Sequence, residues 1–341
     1  MLLKFSVKII TSVRNSTLRQ YSTKIRSYEE IRIPVPWGYI AGKWWGPQDK
    51  RPILAGHGWQ DNCGSFDRLI PLLPSNIPIL AIDFPGHGLS THVPLGMLYH
   101  IIDGVLLYKY IMNYFDWDKI SLLGHSMGAA VNFMYAVLYV DNVDFMINID
   151  VLKFPVFEKN AIKHMNDSIE HYGKCENRIK SKKRPPTYTF KSLEQRLHEA
   201  TKKSIALENC KYLLKRNTAP SIEDSSKYYV TCDRRLKFSF LRGVPQKISH
   251  EGAHKLTCPF LFCKSTRGPY VDDKKQVHDV LEVLTRVNKD FEFHMIDGTH
   301  HVHLNRPENV AKLLLPFIEK YNVHNRDKGG LKQEMKVSVC I

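Results

Sequence analysis

The stretch Ile120-Ser-Leu-Leu-Gly-His-Ser-Met-Gly-Ala-Ala130 constrains the fold more than any other part of the chain. It opens as an apolar run, and Ala129, Ala130, Val131, Phe133 and Met134 follow with helical spacing, so it reads as strand, sharp turn and helix. The pattern Gly124-His125-Ser126-Met127-Gly128 falls on the turn. Such a turn holds its serine in a strained conformation that projects the hydroxyl out of the sheet, and glycines two residues to either side let strand and helix approach closely. An ordinary glycine-rich turn matches the bare pattern too. The flanking strand and helix favour Ser126 as a nucleophile.

Similar strands recur with helices between them. Pro52-Ile-Leu-Ala55 leads into Gly56-His57-Gly58-Trp59-Gln60-Asp61-Asn62, and Pro78-Ile-Leu-Ala-Ile82 into Asp83-Phe-Pro-Gly-His-Gly-Leu-Ser90. Phe145-Met-Ile-Asn-Ile149 ends at Asp150, Pro259-Phe-Leu-Phe-Cys263 precedes a helical pattern from Lys274, and Phe291–Ile296 precedes a last helix, Pro307–Tyr321. Before them, residues from Ile31 to Trp45 alternate as a hairpin. Strands alternating with helices predict an α/β fold, a mostly parallel sheet covered on both faces. Residues 155–250 interrupt this order with a polar, helical texture, which predicts a helical lid inserted after the sixth strand, over the carboxyl edge of the sheet where ligands bind. The expected organisation is therefore a core of 28–154 and 251–321, a lid of 155–250, and a loose tail of 322–341.

Residues 1–27 contain six Lys or Arg and no Asp or Glu, with apolar residues interleaved. This is the composition of an organelle-import segment and favours mitochondrial delivery, with cytoplasm or peroxisome as alternatives. Seven cysteines, an odd number without a C-x-x-C pair, argue against a disulfide framework and for a reducing compartment. The net charge of +15 is concentrated in 155–250, where Lys and Arg outnumber Asp and Glu about two to one. A solvated face is the commonest meaning of such charge. Attraction of acidic acyl substrates, or peripheral contact with an anionic membrane, is the second reading. Nucleic acid is the weakest, since no recognition module is present.

A serine hydroxyl needs a base to take its proton and a third group to orient that base. His300, on the loop Asp297-Gly-Thr-His-His-Val-His303, is the favoured base because it directly ends the turn at Gly298, and His301 and His303 compete with it. Metal binding by this histidine cluster is disfavoured, because no Cys, Asp or Glu lies at the usual zinc spacing. The developing oxyanion needs backbone donors, for which the amides of Met127 and Trp59 are placed by their loops. His57, His87 and His125 are read as structural.

Together His57-Gly-Trp, Asp83–Ser90, Gly124–Gly128 and the His300 loop resemble the α/β-hydrolase superfamily. Trp37-Gly38, Trp44-Trp45-Gly46, His57–Asn62, Ser65–Pro74 and Cys232-Asp-Arg-Arg-Leu236 narrow the resemblance to the kraken-type, serine hydrolase-like group, over about residues 31–320. The resemblance implies hydrolysis of an ester, thioester or amide of a small acyl substrate by acyl transfer, without a metal or organic cofactor. It departs from the superfamily at the triad acid. The usual loop, Lys264-Ser-Thr-Arg-Gly268, holds no carboxylate. Asp150 is the favoured acid and Asp272 the alternative. That irregularity keeps a second reading in play, a weakly active or inactive hydrolase-fold binding protein.

Overall fold

The computed structural model describes residues 26–156, 161–237, 243–270 and 272–322. Most of the expected import segment and tail lie outside these residues. A hairpin of β1 (Tyr28–Val35) and β2 (Gly38–Trp45) comes first; Ile31, Ile33 and Val35 point inward from β1 and alternate with more exposed residues. Then follow β3 (Ile53–Gly56), β4 (Ile79–Ile82), α1 (Asp103–Phe115), β5 (Ile120–His125), α2 (Met127–Leu138) and β6 (Val143–Ile149).

The inserted segment contains α3 (Ala161–Lys180), β7 (Tyr188–Thr189), α4 (Phe190–Ala200), α5 (Cys210–Asn217), β8 (Thr218–Pro220) and β9 (Lys227–Val230). The chain then returns through α6 (Gln246–Lys255), β10 (Phe260–Ser265), α7 (Lys274–Val287), β11 (Phe291–Ile296), α8 (Val302–Asn305) and α9 (Pro307–Tyr321).

Eight strands form one sheet in the order β1-β2-β4-β3-β5-β6-β10-β11. β2 runs antiparallel to β1 and β4, and every other pairing is parallel. The central strands are continuous apolar runs because both of their faces are covered. Leu54 and Leu80 pack with α1 and α2 on one face, while Ile53, Ile79, Leu123 and Ile147 pack with α9 on the other. The result is the doubly covered α/β sheet that the strand and helix pattern predicts.

Three details differ from the sequence reading. The inserted segment is not wholly helical, since β7, β9 and β8 pair as a small antiparallel sheet that includes the aromatic run Tyr228-Tyr229. Its expected end at residue 250 falls inside α6, which packs on the core: Gly252 lies against Val137 of α2, and Ala253 is fully buried. Arg26, which composition placed in the leading basic segment, is buried and donates to the carbonyls of Ile70, Leu73 and Trp45.

The inserted segment rests on the loops at the carboxyl ends of the strands. Arg216 bonds Asp83 after β4 at 2.6 Å, with Glu30 also in reach, and Trp59 Nε1 donates to the Leu236 carbonyl at 2.8 Å. Asn62 donates to the Leu213 carbonyl at 2.9 Å, and Asn305 binds Ser204, Ala206 and Asn209. Among the described residues, no helix is long and apolar enough to cross a membrane.

Candidate active site

β5 ends at His125 and α2 begins at Met127, leaving Ser126 alone on the turn at φ 52°, ψ −110°. A non-glycine residue there costs about 1–3 kcal/mol, which the surrounding packing has to hold. The glycines explain how. A Cβ on Gly128 would sit 2.0 Å from the Gly56 carbonyl oxygen, and one on Gly124 would sit 2.5 Å from backbone atoms of Gly128 and Ala129. The Ser126 amide donates to Ile149 at 3.1 Å, and that of Gly128 donates to His57 at 3.0 Å. The turn is thus clamped between β6 and the loop after β3.

His300 Nε2 lies 2.9 Å from Ser126 Oγ, and its Nδ1 is hydrogen-bonded to Asp150 Oδ2. Asp150 is buried, at φ 67°, directly after β6. Its other oxygen accepts from the Ser265 amide at 2.9 Å, from Lys264 Nζ at 2.7 Å and from the Ser265 hydroxyl. Burial alone would raise the Asp150 carboxyl, but the hydrogen bond and charge of His300, together with Lys264, outweigh it and hold the group below the usual carboxylate range. An ionised Asp150 accepts the Nδ1 proton of His300, which turns the Nε2 lone pair toward the serine hydroxyl.

Asp272 is elsewhere. Its carboxylate pairs with the buried Lys153 at 2.5 Å and accepts from the Val156 amide at 2.9 Å. The structure therefore brings Ser126, His300 and Asp150 together and leaves Asp272 apart.

Lys264 and Ser265, at the end of β10, are the residues that the sequence reading missed. They stand where the resemblance places the usual acid, and they instead hold the Asp150 carboxylate that follows the neighbouring strand β6. Gly268 closes the same pocket: a Cβ there would lie 2.3 Å from Asp150 Oδ2 and 2.1 Å from Ser265 Oγ. To regain contact distance, the two segments must part by about 1 Å, a displacement that costs up to about a hundredfold in rate when it reaches a reacting group. Gly268→Ala is accordingly expected to lower kcat/KM for ester hydrolysis by about tenfold to a hundredfold. Steady-state kinetics check this, and an unchanged value would show that the loop yields without moving Asp150.

The loop after β3 meets the turn through the His57 carbonyl. Met127 is the first residue of α2, so its N–H has no intrahelical acceptor. Neither it nor the Trp59 N–H donates to a backbone carbonyl among the described residues. His57 uses both ring nitrogens on the main chain, accepting from the Phe84 amide at 3.0 Å and bonding the Gly58 carbonyl at 2.7 Å. His87 accepts from the Gln60 amide at 3.0 Å, and burial pushes it down to about 3.

His301 and His303 do not share the Ser126 contact of His300. His301 Nδ1 is 2.8 Å from Ser204 Oγ, and its Nε2 is 3.3 Å from Asp61. His303 is fully buried, its ring centre 4.0 Å from that of His125. His125 Nε2 reaches the His300 carbonyl at 3.0 Å, so the residue before the serine braces the backbone of the histidine facing it.

A family model described as the alpha/beta hydrolase fold matches residues 51–307. The "Probable serine hydrolase" of Drosophila melanogaster is 35% identical over 296 residues, covering 86% of this chain and 88% of its own length. "Serine hydrolase-like protein 2" of Homo sapiens is 31% identical over 304 residues, 85% of this chain and 94% of its own. Among solved structures, a hypothetical protein of Pseudomonas aeruginosa PAO1 matches with a TM-score of 0.73 at 28% identity, over 85% of this chain and 99% of that one.

Proposed function

The chain belongs to the α/β-hydrolase fold family, in its serine hydrolase-like group, and from that premise we propose that it hydrolyses an ester, thioester or amide bond of a small acyl substrate through an acyl-enzyme. The observation that carries the reading is the continuous hydrogen-bonded chain from Ser126 Oγ through His300 to the buried Asp150.

Ser126 Oγ attacks the acyl carbon while His300 Nε2 takes its proton, and the carbonyl electrons move onto oxygen. Asp150 stabilises the imidazolium that forms and keeps its orientation. The Met127 and Trp59 amides donate to the developing oxyanion. Collapse of the adduct expels the leaving group, which receives the proton from His300. A water then attacks the acyl-serine with the same base, which frees the acid and restores Ser126. The reading as a hydrolase-fold binding or scaffold protein drew on the irregular acid, and Asp150 at His300 Nδ1 supports the enzyme reading instead.

Labelling with a fluorophosphonate, followed by peptide mass spectrometry, tests the proposal. The adduct is expected on Ser126, and the extent of labelling is expected to fall in His300→Ala. Ser126 left unmodified by an excess of reagent would overturn it.

A further inference from the structure

We infer that Asp61, His125 and His301 form a binding site for one divalent transition-metal ion of the Zn2+ type, behind the serine turn and separate from Ser126, His300 and Asp150. The three residues come from the loop after β3, the end of β5 and the loop before α8, and all are buried, at 5%, 0% and 6% exposure. One donor atom from each residue, a carboxylate oxygen and a ring nitrogen of each histidine, lies within 4.8 Å of the other two. Asp61 Oδ2 is 3.5 Å from His125 Nδ1 and 3.3 Å from His301 Nε2. Tetrahedral zinc with bonds of about 2.0–2.1 Å sets neighbouring donors about 3.3–3.5 Å apart. The two separations from Asp61 Oδ2 already stand at that value.

Proton placement points the same way. His125 Nε2 faces the His300 carbonyl, which can only accept, so Nε2 carries the proton. Nδ1 is then a bare lone pair directed at Asp61 Oδ2, and neither atom has a hydrogen-bond partner among the described residues. Two buried acceptors facing each other are costly, and a cation between them turns both into ligands. Gly58 keeps the space beside them open, for a Cβ there would lie 2.9 Å from Asp61 Oδ2 and 3.0 Å from His125 Nδ1. His301 Nδ1 at Ser204 Oγ and His125 Nε2 at the His300 carbonyl are the outer hydrogen bonds that orient metal-bound imidazoles. In the ion-free chain His301 Nε2–H bonds Asp61 Oδ1 and Nδ1 accepts from the Ser204 hydroxyl. Loading moves the ring proton to Nδ1, which then donates to Ser204 Oγ, and leaves the Nε2 lone pair for the ion, with no net proton released. His303, with both ring nitrogens unpartnered among the described residues, adds a further imidazole beside His125. Sequence spacing hid the cluster, because Asp61 and His301 are 240 residues apart.

The test uses the full chain stripped by a chelator and titrated with Co2+, then Zn2+. One equivalent of Co2+ with the intense visible absorption of four-coordinate cobalt is expected, displaced by one equivalent of Zn2+ and accompanied by a rise in melting temperature. Asp61→Asn and His301→Gln are each expected to weaken Zn2+ retention in equilibrium dialysis tenfold or more. His254→Gln, which removes one of the exposed His250–His254 pair on α6, is expected to leave it unchanged. Equal retention in wild type and His301→Gln, loss confined to His254→Gln, or no bound equivalent in the wild type would each overturn the site. Should Asp61→Asn fail to fold, the wild-type cobalt spectrum and His301→Gln decide the question by themselves.

Discussion

Ser126→Ala is expected to lower kcat/KM on short-chain p-nitrophenyl esters by about three to six orders of magnitude, with an unchanged fold. The substitution removes one oxygen and keeps the backbone turn, whose geometry is set by the contacts of Gly124 and Gly128 rather than by the hydroxyl. What remains is the background available to backbone donors and binding. Asp150→Asn should cost about four orders of magnitude, because an amide nitrogen facing His300 Nδ1 selects the wrong tautomer. Asp272→Asn provides the contrast. It should leave the rate near wild type but lower stability by about 3–5 kcal/mol, since it leaves the buried Lys153 ammonium unpaired. Steady-state kinetics and thermal melting on the three variants separate these outcomes. Equal rates for wild type and Ser126→Ala would end the serine mechanism, and a larger rate loss at Asp272 than at Asp150 would reassign the acid.

Stability should fall steeply as the pH drops from 7 to 5, earlier than carboxylate protonation alone would cause. His57, His87, His125 and His303 are fully buried, and burial holds each below the ordinary histidine value, His125 at about 4 and His87 at about 3. The unfolded chain takes up protons at these positions below about pH 6.5, whereas the folded chain does not. Their contribution is therefore present above about pH 6.5 and is lost as the pH falls toward the folded values, each group costing about 1.4 kcal/mol per pH unit in that window. For His87 and His125 together, the loss at pH 5 is about 4 kcal/mol, a large fraction of the total stability of an ordinary domain. Asp83, Asp150 and Asp233 lie below the usual carboxylate range, so they add a second loss of the same sign below about pH 4. Urea midpoints at pH 7, 6 and 5 and constant ionic strength measure the first window. A flat stability between pH 7 and 5 would mean that these histidines are protonated in the folded chain.

Two of these buried histidines also serve main-chain groups beside the serine turn. His57 serves the Phe84 amide and the Gly58 carbonyl, and His125 serves the His300 carbonyl. These bonds tie the loop after β3 to the loop after β4, and the serine turn to the loop that carries His300.

By itself the sequence determined what depends on neighbours along the chain. The largely apolar runs 53–55, 79–82 and 120–123 read as strands buried on both faces, because they are too short for a helix and are bounded by turn residues. The Gly-x-Ser-x-Gly spacing is equally local, since the steric demand of the turn falls on positions two residues either side of Ser126. His300 was legible because it ends a short loop between a strand and a helix. Tertiary structure decided which carboxylate faces His300, because Asp150 and Asp272 are alike as residues and differ in what surrounds them: Ser265 and Lys264 at the end of β10 hold one, while Lys153, in the loop after β6, pairs with the other. It also decided that Asp61, His125 and His301 meet, and that α6 packs on the core rather than continuing the inserted segment. These outcomes depend on contacts between segments far apart in the chain, set by the register of β3, β5, β6 and β10 in one sheet, and no periodicity in the sequence encodes that register.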